Sequence, residues 1–297
     1  MYNPQLETFI RVADAGSFNK AADQLYITPT AVIKQINLLE VSLDVKLFER
    51  THRGLTLTKA GASLYNDAKY IIQYCKDSVI RAKNAMQEGD NVIRIGTSPM
   101  TPAGVLVELW PKIHEFCPKI KFQLVPYENT PENAREILKN LGQNIDVVAG
   151  IFDDTMLNLR NCAGFEISRQ PICCAVSVHH RLADKKLLTV SDLYGERLML
   201  MHRNWSHYVD VLRDDIWQNH SRIQIVDFDF YSVDVFNRCE NSNDVLMAVQ
   251  AWENVHPLLK IIPVEWNHSI PYGLLHSQTP SETVERFLAA IQTVLHR

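Results

Sequence analysis

In the stretch TPTAVIKQINLLE, residues 28–40, two faces of one helix can be told apart by residue type alone. Val32, Ile36 and Leu39 recur at helical spacing and should face a core. Thr30, Lys34 and Asn37 fall on the other side, where most surface helices carry more charge. Hydroxyl, amide and ammonium groups on a rigid face suit hydrogen-bonded recognition. Thr28 is a good N-cap, and Pro29 sits at the first helical position, where its missing N–H costs nothing. The free amides at that helix end attract anionic oxygens. A second group of donors follows in the short segment Arg50-Thr51-His52-Arg53-Gly54.

Bond-making chemistry has no comparable signature. The chain holds no G-x-S-x-G elbow, no P-loop and no G-x-G-x-x-G turn. Its 11 histidines include His179-His180 and the pair His202 and His207, but no HExxH, so no metal site and no cofactor are expected. The six cysteines are scattered and lack a CxxC pair, which fits buried thiols in a reducing compartment. Cys173-Cys174 should alternate faces of an apolar strand, with at least one in a core, and His179 and His180 should lie on the surface. No catalytic residue is expected.

The elements that must hold the polar face are short and helical. Leu6, Phe9, Ile10 and Ala13 mark a helix from Pro4 to Ala15, which Gly16 stops. Ser17 is placed to cap a second helix, Phe18 to Leu25, and the third runs from Pro29 to about Leu43. Two short helices joined by a tight turn form a helix-turn-helix. Leu47-Phe48 should be buried, residues 50–54 should turn, and Leu55-Thr56-Leu57-Thr58 alternates like a strand, giving a wing. Thr58 should cap a long helix from Lys59 to about Met86. Its seam of Leu64, Ala68, Ile71, Cys75, Val79, Ala82 and Met86 is nearly heptad and too narrow to be buried alone, so a partner helix is expected.

After a polar hinge at 87–91 the pattern becomes α/β. Strands are expected at 92–96, 120–125, 146–151, 172–177, 197–201, 223–228, 261–264 and 272–276. Helices are expected at 102–116, 131–141, 206–219, 243–252 and 281–296. About 200 residues of this kind are enough for two small doubly wound lobes. Net charge is −4, yet residues 1–60 hold seven Lys/Arg against six Asp/Glu, so the basic character is local and modest. No apolar run reaches the roughly 18 residues of a membrane span, and no signal peptide is expected, so a cytoplasmic protein without a membrane partner is anticipated.

Residues 17–61 resemble the winged helix-turn-helix of LysR-type transcriptional regulators. The match is carried by Phe18, Ala21-Ala22, Leu25, Ala31-Val32, Gln35-Ile36, Leu39-Glu40, Leu47-Phe48-Glu49-Arg50 and Leu57-Thr58-Lys59-Ala60-Gly61. The remainder is similar more loosely, through the position of Pro118 and the stretch VSVHHRLADKKLLTVSDLYGERLML. The resemblance implies an all-α winged helix-turn-helix domain (1–58), a linker dimerisation helix (59–88) and an effector domain (92–297) of the two-lobed, periplasmic-binding-protein-like kind. Lobe I would take about 92–161 and 266–297, and lobe II about 162–265.

By the same resemblance, Thr28, Pro29, Thr30, Ile33, Lys34 and Asn37 would meet the major groove of double-stranded promoter DNA. Arg50, Thr51 and Arg53 would hold the flanking phosphates. A small-molecule effector of unnamed chemistry would sit between the lobes, near Thr97, Ser98, Met100, Thr101, Ile151 and His202. The implied assembly is a homodimer through the linker helix, with two dimers forming a homotetramer, and RNA polymerase is a further implied partner. The chain departs from the family pattern at Thr28-Pro29-Thr30, at Ile33 where serine is frequent, at Asp44 where glycine is common, and at Met100 where a hydroxyl is frequent. Two other readings remain open: an enzyme, or a ligand-binding protein, whose helix-turn-helix head serves protein contacts.

Overall fold

The third helix owes its start to one side chain. Thr28 Oγ1 accepts from the Ala31 amide at 3.2 Å, with Pro29 at the first turn. The computed structural model describes residues 1–51, 54–85 and 91–296, in two units, Met1–Glu88 and Gly89–Arg297. In the first, α1 (Gln5–Ala15) ends on Gly16 at φ 61°, and α2 (Phe18–Leu25) ends on Tyr26 at φ 55°. Ser17 occupies the cap position of α2 in extended conformation, but its side chain makes no capping bond. α3 (Pro29–Leu43) stops at Asp44, whose φ of 55° shows an aspartate in the left-handed region that glycine favours.

β1 (Phe48–Thr51) and β2 (Gly54–Leu57) pair antiparallel, with Phe48 opposite Leu57 and Thr51 opposite Gly54. Residues 50, 51 and 54 are therefore strand, not turn, because the ladder runs as far as the Thr51–Gly54 pair. His52 and Arg53 lie outside the described residues. α4 (Lys59–Ala85) starts on Thr58, whose hydroxyl accepts from the Gly61 amide at 3.0 Å and donates to Lys46 O at 2.6 Å. A β-carbon on Gly61 would stand 2.1 Å from Leu47 O, so only glycine allows the helix this close to the wing. At 1.5 Å per residue α4 is roughly 40 Å long. Ala68 and Ile72 are buried with Phe9, Val12, Ile36 and Leu47. Between them Ile71 is exposed, as are Val79 and Ile80 beyond them, and Met86 lies outside the described residues.

The second unit runs β3 (Val92–Thr97), α5 (Gly104–Phe116), β4 (Lys121–Pro126), α6 (Pro131–Lys139), β5 (Val147–Ile151) and α7 (Asp154–Arg160). β6 (Cys162–Ser177), β7 (Arg197–Met201), α8 (His207–Asn219), β8 (Gln224–Phe228), α9 (Val233–Glu240) and β9 (Val245–Val249) follow. The chain then closes with β10 (Leu259–Pro263), β11 (Ser269–Ser277) and α10 (Glu282–Leu295). The strand order is β4-β3-β5-β11-β6-β9-β7-β8, with β10 also on β6. β3 pairs parallel with β4 and β5, and β7 pairs parallel with β8 and β9, which makes two small doubly wound halves.

β6 joins the halves. Cys162–Pro171 pairs with β11, whereas Ile172–Ser177 pairs with β9 and β10. The lobes therefore divide near residue 171, not 161. The sequence hides this because residues 162–171 mix polar and apolar types without alternation, and only β11 makes them a strand. The β6–β11 ladder slips at Tyr272/Gly273, where an added β-carbon would lie 2.0 Å from Phe165 O.

Other expectations fail for similar reasons. Residues 245–249 are a strand, not part of a helix, because VLMAV is buried on both faces and a short apolar run has no decisive period. The short helices α7 and α9 went unseen. His180 is buried: its Nδ1 accepts from the Leu182 amide at 3.2 Å, and its Nε2 lies 3.4 Å from Glu196. The expectation of at least one core thiol at Cys173-Cys174 is met, and both are buried, since both faces of β6 are covered there. Among the described residues no helix is long and apolar enough to cross a membrane, and no group of three or more His, Cys, Asp or Glu could hold a metal ion.

Candidate functional site

Two places gather the polar groups singled out above, one in each unit. In the first, Val32, Ile36 and Leu39 are at most 2% exposed, which fixes the roll of α3. Thr28, Pro29, Thr30, Lys34 and Asn37 are consequently exposed, and Ile33 is half-buried at the edge of that face. Sequence spacing thus located the surface correctly. It missed two supports behind it. Thr8, buried on α1, donates to Gln35 Oε1, tying α1 to α3. Glu40, also buried, accepts from the Leu47 amide at 2.8 Å, the Phe48 amide at 3.3 Å and Lys46 Nζ at 2.6 Å. Burial works to raise the Glu40 carboxyl, but Lys46 and the two amides outweigh it, so its pKa lies below the ordinary glutamate value. That carboxylate fastens the end of α3 to the start of the wing. Arg50 and Thr51 belong to β1, but their side chains, like all of Arg53, lie outside what is described.

The second place is a cavity of about 80 Å³ in the second unit. Met100, Thr101, Ile151 and Met156 line it from the first lobe; Trp205, Phe230, Tyr231 and Trp252 line it from the second. Of the residues expected near a ligand, Met100, Thr101 and Ile151 are in the lining. Ser98 stands one bond behind: its Oγ is 2.7 Å from Thr101 Oγ1, which is 2.8 Å from the Tyr127 hydroxyl in the cavity wall. Thr97 is half-buried at the end of β3 and is not in the lining. His202 is exposed and its Nδ1 donates to Arg203 O at 2.9 Å, so it too stays off the wall.

Sequence reasoning missed Tyr127, Asn129, Arg160 and the four aromatic residues. Their signal was weak, since they come from segments up to 125 residues apart, between Tyr127 and Trp252. The lobes meet around this cavity through three ties. Trp252 Nε1 donates to Met100 O at 3.0 Å, and Asn129 Nδ2 donates to Tyr231 O at 2.8 Å. Asp153 caps α7 by accepting from the Met156 amide at 2.8 Å. It also accepts from Ser206 Oγ at 2.6 Å and from the His207 amide, at the first turn of α8, at 2.7 Å.

Burial raises the pKa of the Tyr127 phenol, which hydrogen bonds with Thr101 and Ser98 only partly offset; it stays a donor at neutral pH. Arg160 ends α7 and its guanidinium pKa is lowered by desolvation, with Cys162, Tyr127 and Asp153 acting in the opposite sense. The buried thiols are far from reactive: burial pushes Cys173 up to about 11 and Cys239 up to about 12. Hydroxyls, an amide and a guanidinium around an aromatic pocket suit the holding of a small molecule.

Comparison with known proteins agrees with this architecture. Residues 4–62 match the family described as bacterial regulatory helix-turn-helix protein, lysR family, and residues 87–295 match the LysR substrate binding domain. The chain is 28% identical over 172 residues to the nitrogen assimilation regulatory protein nac of Klebsiella aerogenes, covering 54% of this chain and 56% of that protein. It is 29% identical over 201 residues to the uncharacterized HTH-type transcriptional regulator YbhD of Escherichia coli K12, covering 65% and 59%. The matches therefore span little more than half the length of these relatives. Among solved structures, CbnR, a LysR family transcriptional regulator, shares the fold with a TM-score of 0.59 at 19% identity over 99% of both chains. Full-length CbnR complexed with its target DNA gives 0.55 at 18%, again over 99% of both. With its substrate-binding-domain match alone covering more than half of its length, this chain belongs to the LysR family of bacterial helix-turn-helix regulators.

Proposed function

We propose that the protein is a sequence-specific, DNA-binding transcriptional regulator controlled by a small-molecule effector held in the cavity between its lobes. The observation that carries this is the outer face of α3. A helix buried through Val32, Ile36 and Leu39 turns Thr28, Thr30, Lys34 and Asn37 outward together. Lys34 and Asn37 supply donors for base edges and phosphates of double-stranded promoter DNA, and the small residues let the backbone approach. Thr28, Pro29 and Thr30 bring the helix amides to a phosphate. Ile33 offers an apolar contact to a thymine methyl, while Arg50, Thr51 and Arg53 hold the flanking backbone. CbnR, which shares this fold, has been solved in complex with its target DNA, which supports a DNA-binding role.

Domain limits of 1–58, 59–88 and 92–297 belong to this proposal, with the lobes divided near residue 171. α4 is its dimerisation element: exposed Ile71, on the seam, and Val79 and Ile80, past the part packed in the first unit, offer apolar surface to a partner helix. Two such dimers would make a tetramer on paired half-sites, acting in the cytoplasm and touching RNA polymerase. The effector works by binding one arrangement of the lobes better than another, which by linkage must also change DNA affinity. The test is selection of genomic fragments by the purified protein near physiological salt, followed by sequencing. Two inverted half-sites are expected; retention without sequence preference, with and without a metabolite pool, would overturn the reading.

A further inference from the structure

We infer that Tyr26, in the turn before α3, is a DNA contact: its ring lies against a sugar and its hydroxyl donates to a phosphate beside the groove that α3 enters. This rests on the reading of α3 as the DNA-reading helix and adds a residue to that interface.

The backbone singles Tyr26 out. Among the described residues four non-glycine positions have positive φ: Tyr26 at 55°, Asp44 at 55°, Asn161 at 52° and Asn204 at 69°. Three of them are aspartate or asparagine, whose short polar side chains tolerate the left-handed region. A tyrosine there is strained, because its β-carbon crowds the following carbonyl oxygen. The turn itself asks for no such residue. The Tyr26 amide donates to Asp23 O at 3.3 Å and the Ile27 amide to Ala22 O at 3.1 Å, a helix stop that glycine or asparagine ordinarily provides.

Nothing among the described residues offsets that strain. The Tyr26 side chain is 94% exposed, more than any other exposed large apolar or aromatic residue described. Neither a hydrogen bond nor a ring contact within the chain holds it. An exposed ring on a strained backbone costs the fold and gains it no packing; strain of this kind persists where function uses it.

Position names the partner. Tyr26 to Thr30 is an unbroken exposed run that leads into α3. Tyr26 lies two residues before the Thr28 cap, so their Cα atoms are at most about 7.6 Å apart. A duplex that meets Thr28 and Thr30 therefore passes within reach of the ring. Chemistry sets the kind of contact. Between Lys20 and Lys34 the only charged side chain is Asp23, and it is exposed. Attraction of opposite charges cannot hold a phosphate beside an acid. A neutral phenol can, by donating to a phosphate oxygen while its apolar face covers a sugar.

The test uses the full-length protein, the operator recovered by genomic selection and an unrelated duplex, titrated at several salt concentrations. Tyr26→Asn relieves the strain, so it should raise the melting temperature by a few degrees and yet weaken binding to both duplexes about tenfold. Tyr26→Phe keeps the ring and should lose about fivefold, the share of one hydrogen bond. Both variants should keep the parent's salt slope, because a neutral contact releases no counterion. Parental affinity in both variants would overturn the assignment and leave the exposed ring to a protein partner. Weaker binding with a lower melting temperature in Tyr26→Asn would overturn it too, since Tyr26 would then be structural. The two readings fail separately. An operator bound equally by parent and variants sinks the Tyr26 contact and leaves the regulator, whereas a parent that selects no sequence under any condition sinks both.

Discussion

The outer face of α3 and the cavity of the second unit treat polar groups in opposite ways. On α3 they stand in water, at fixed spacing on one rigid element, above a core that sets the roll of the helix. In the cavity they are few, largely buried, and drawn from both lobes. The first arrangement can change its contacts without touching the fold, because exposed side chains add little to stability. The second cannot, because each polar group there also serves the packing around it. On the proposed reading, recognition of a long polymer is thus separated from structural load, whereas recognition of a small molecule is built from it.

The largest effect should come from the core beneath the exposed face. Ile36→Ala should cost about 2–5 kcal/mol in chemical denaturation, while Thr30→Ala stays within about 0.5 kcal/mol. A comparable loss from Thr30 would break the contrast between load and recognition. Next, Asp153→Ala removes an N-cap and two contacts between lobes, and should cost about 2–4 kcal/mol by the same measurement. An unchanged midpoint would mean that the lobes are not held together there. Lys34→Ala should leave thermal stability alone and weaken binding to a selected operator by about 1–3 kcal/mol in a titration. Arg53→Ala should weaken binding to all sequences and reduce the salt slope by about one.

Two smaller effects sharpen the comparison. Because the folded-state pKa of Glu40 is depressed, its contribution is present above the unfolded value and is lost as pH falls through the folded one. The first unit should therefore lose stability at acid pH, and Glu40→Gln should flatten that loss in pH-dependent melts. Least visible, Cys173, Cys174 and Cys239 should resist alkylation at neutral pH, since burial raises all three thiols. Mass spectrometry after brief iodoacetamide treatment should find label at the half-buried Cys75 and Cys117 instead.

What could be read from the sequence follows the same division. Residues 28–43 carry their own start signal, period and stop, so their helix and its outer face were legible from local spacing. Cys162–Pro171 and Val245–Val249 carry no such signal; their state is set by strands far away in the chain. The cavity was legible only at Met100 and Thr101, in one loop, and at Ile151, the last residue of β5. Arg160 was missed because α7 is seven residues long and lacks a period, and because its importance depends on Tyr127 and Trp205 arriving from elsewhere. Glu40 was part of a matched pattern, but its reach to Leu47 and Phe48 requires the chain to turn back on itself.

The three ties between the lobes, at Asp153, Asn129 and Trp252, have a kinetic consequence. Together they border the cavity, so any parting of the lobes that widens it must open these bonds. On the proposed reading, a guest that needs the wider arrangement binds only after that opening, and its observed association rate should level off with rising ligand concentration, at the opening rate of the lobes. Departure of such a guest meets the same gate, so occupancy would outlast a fall in concentration.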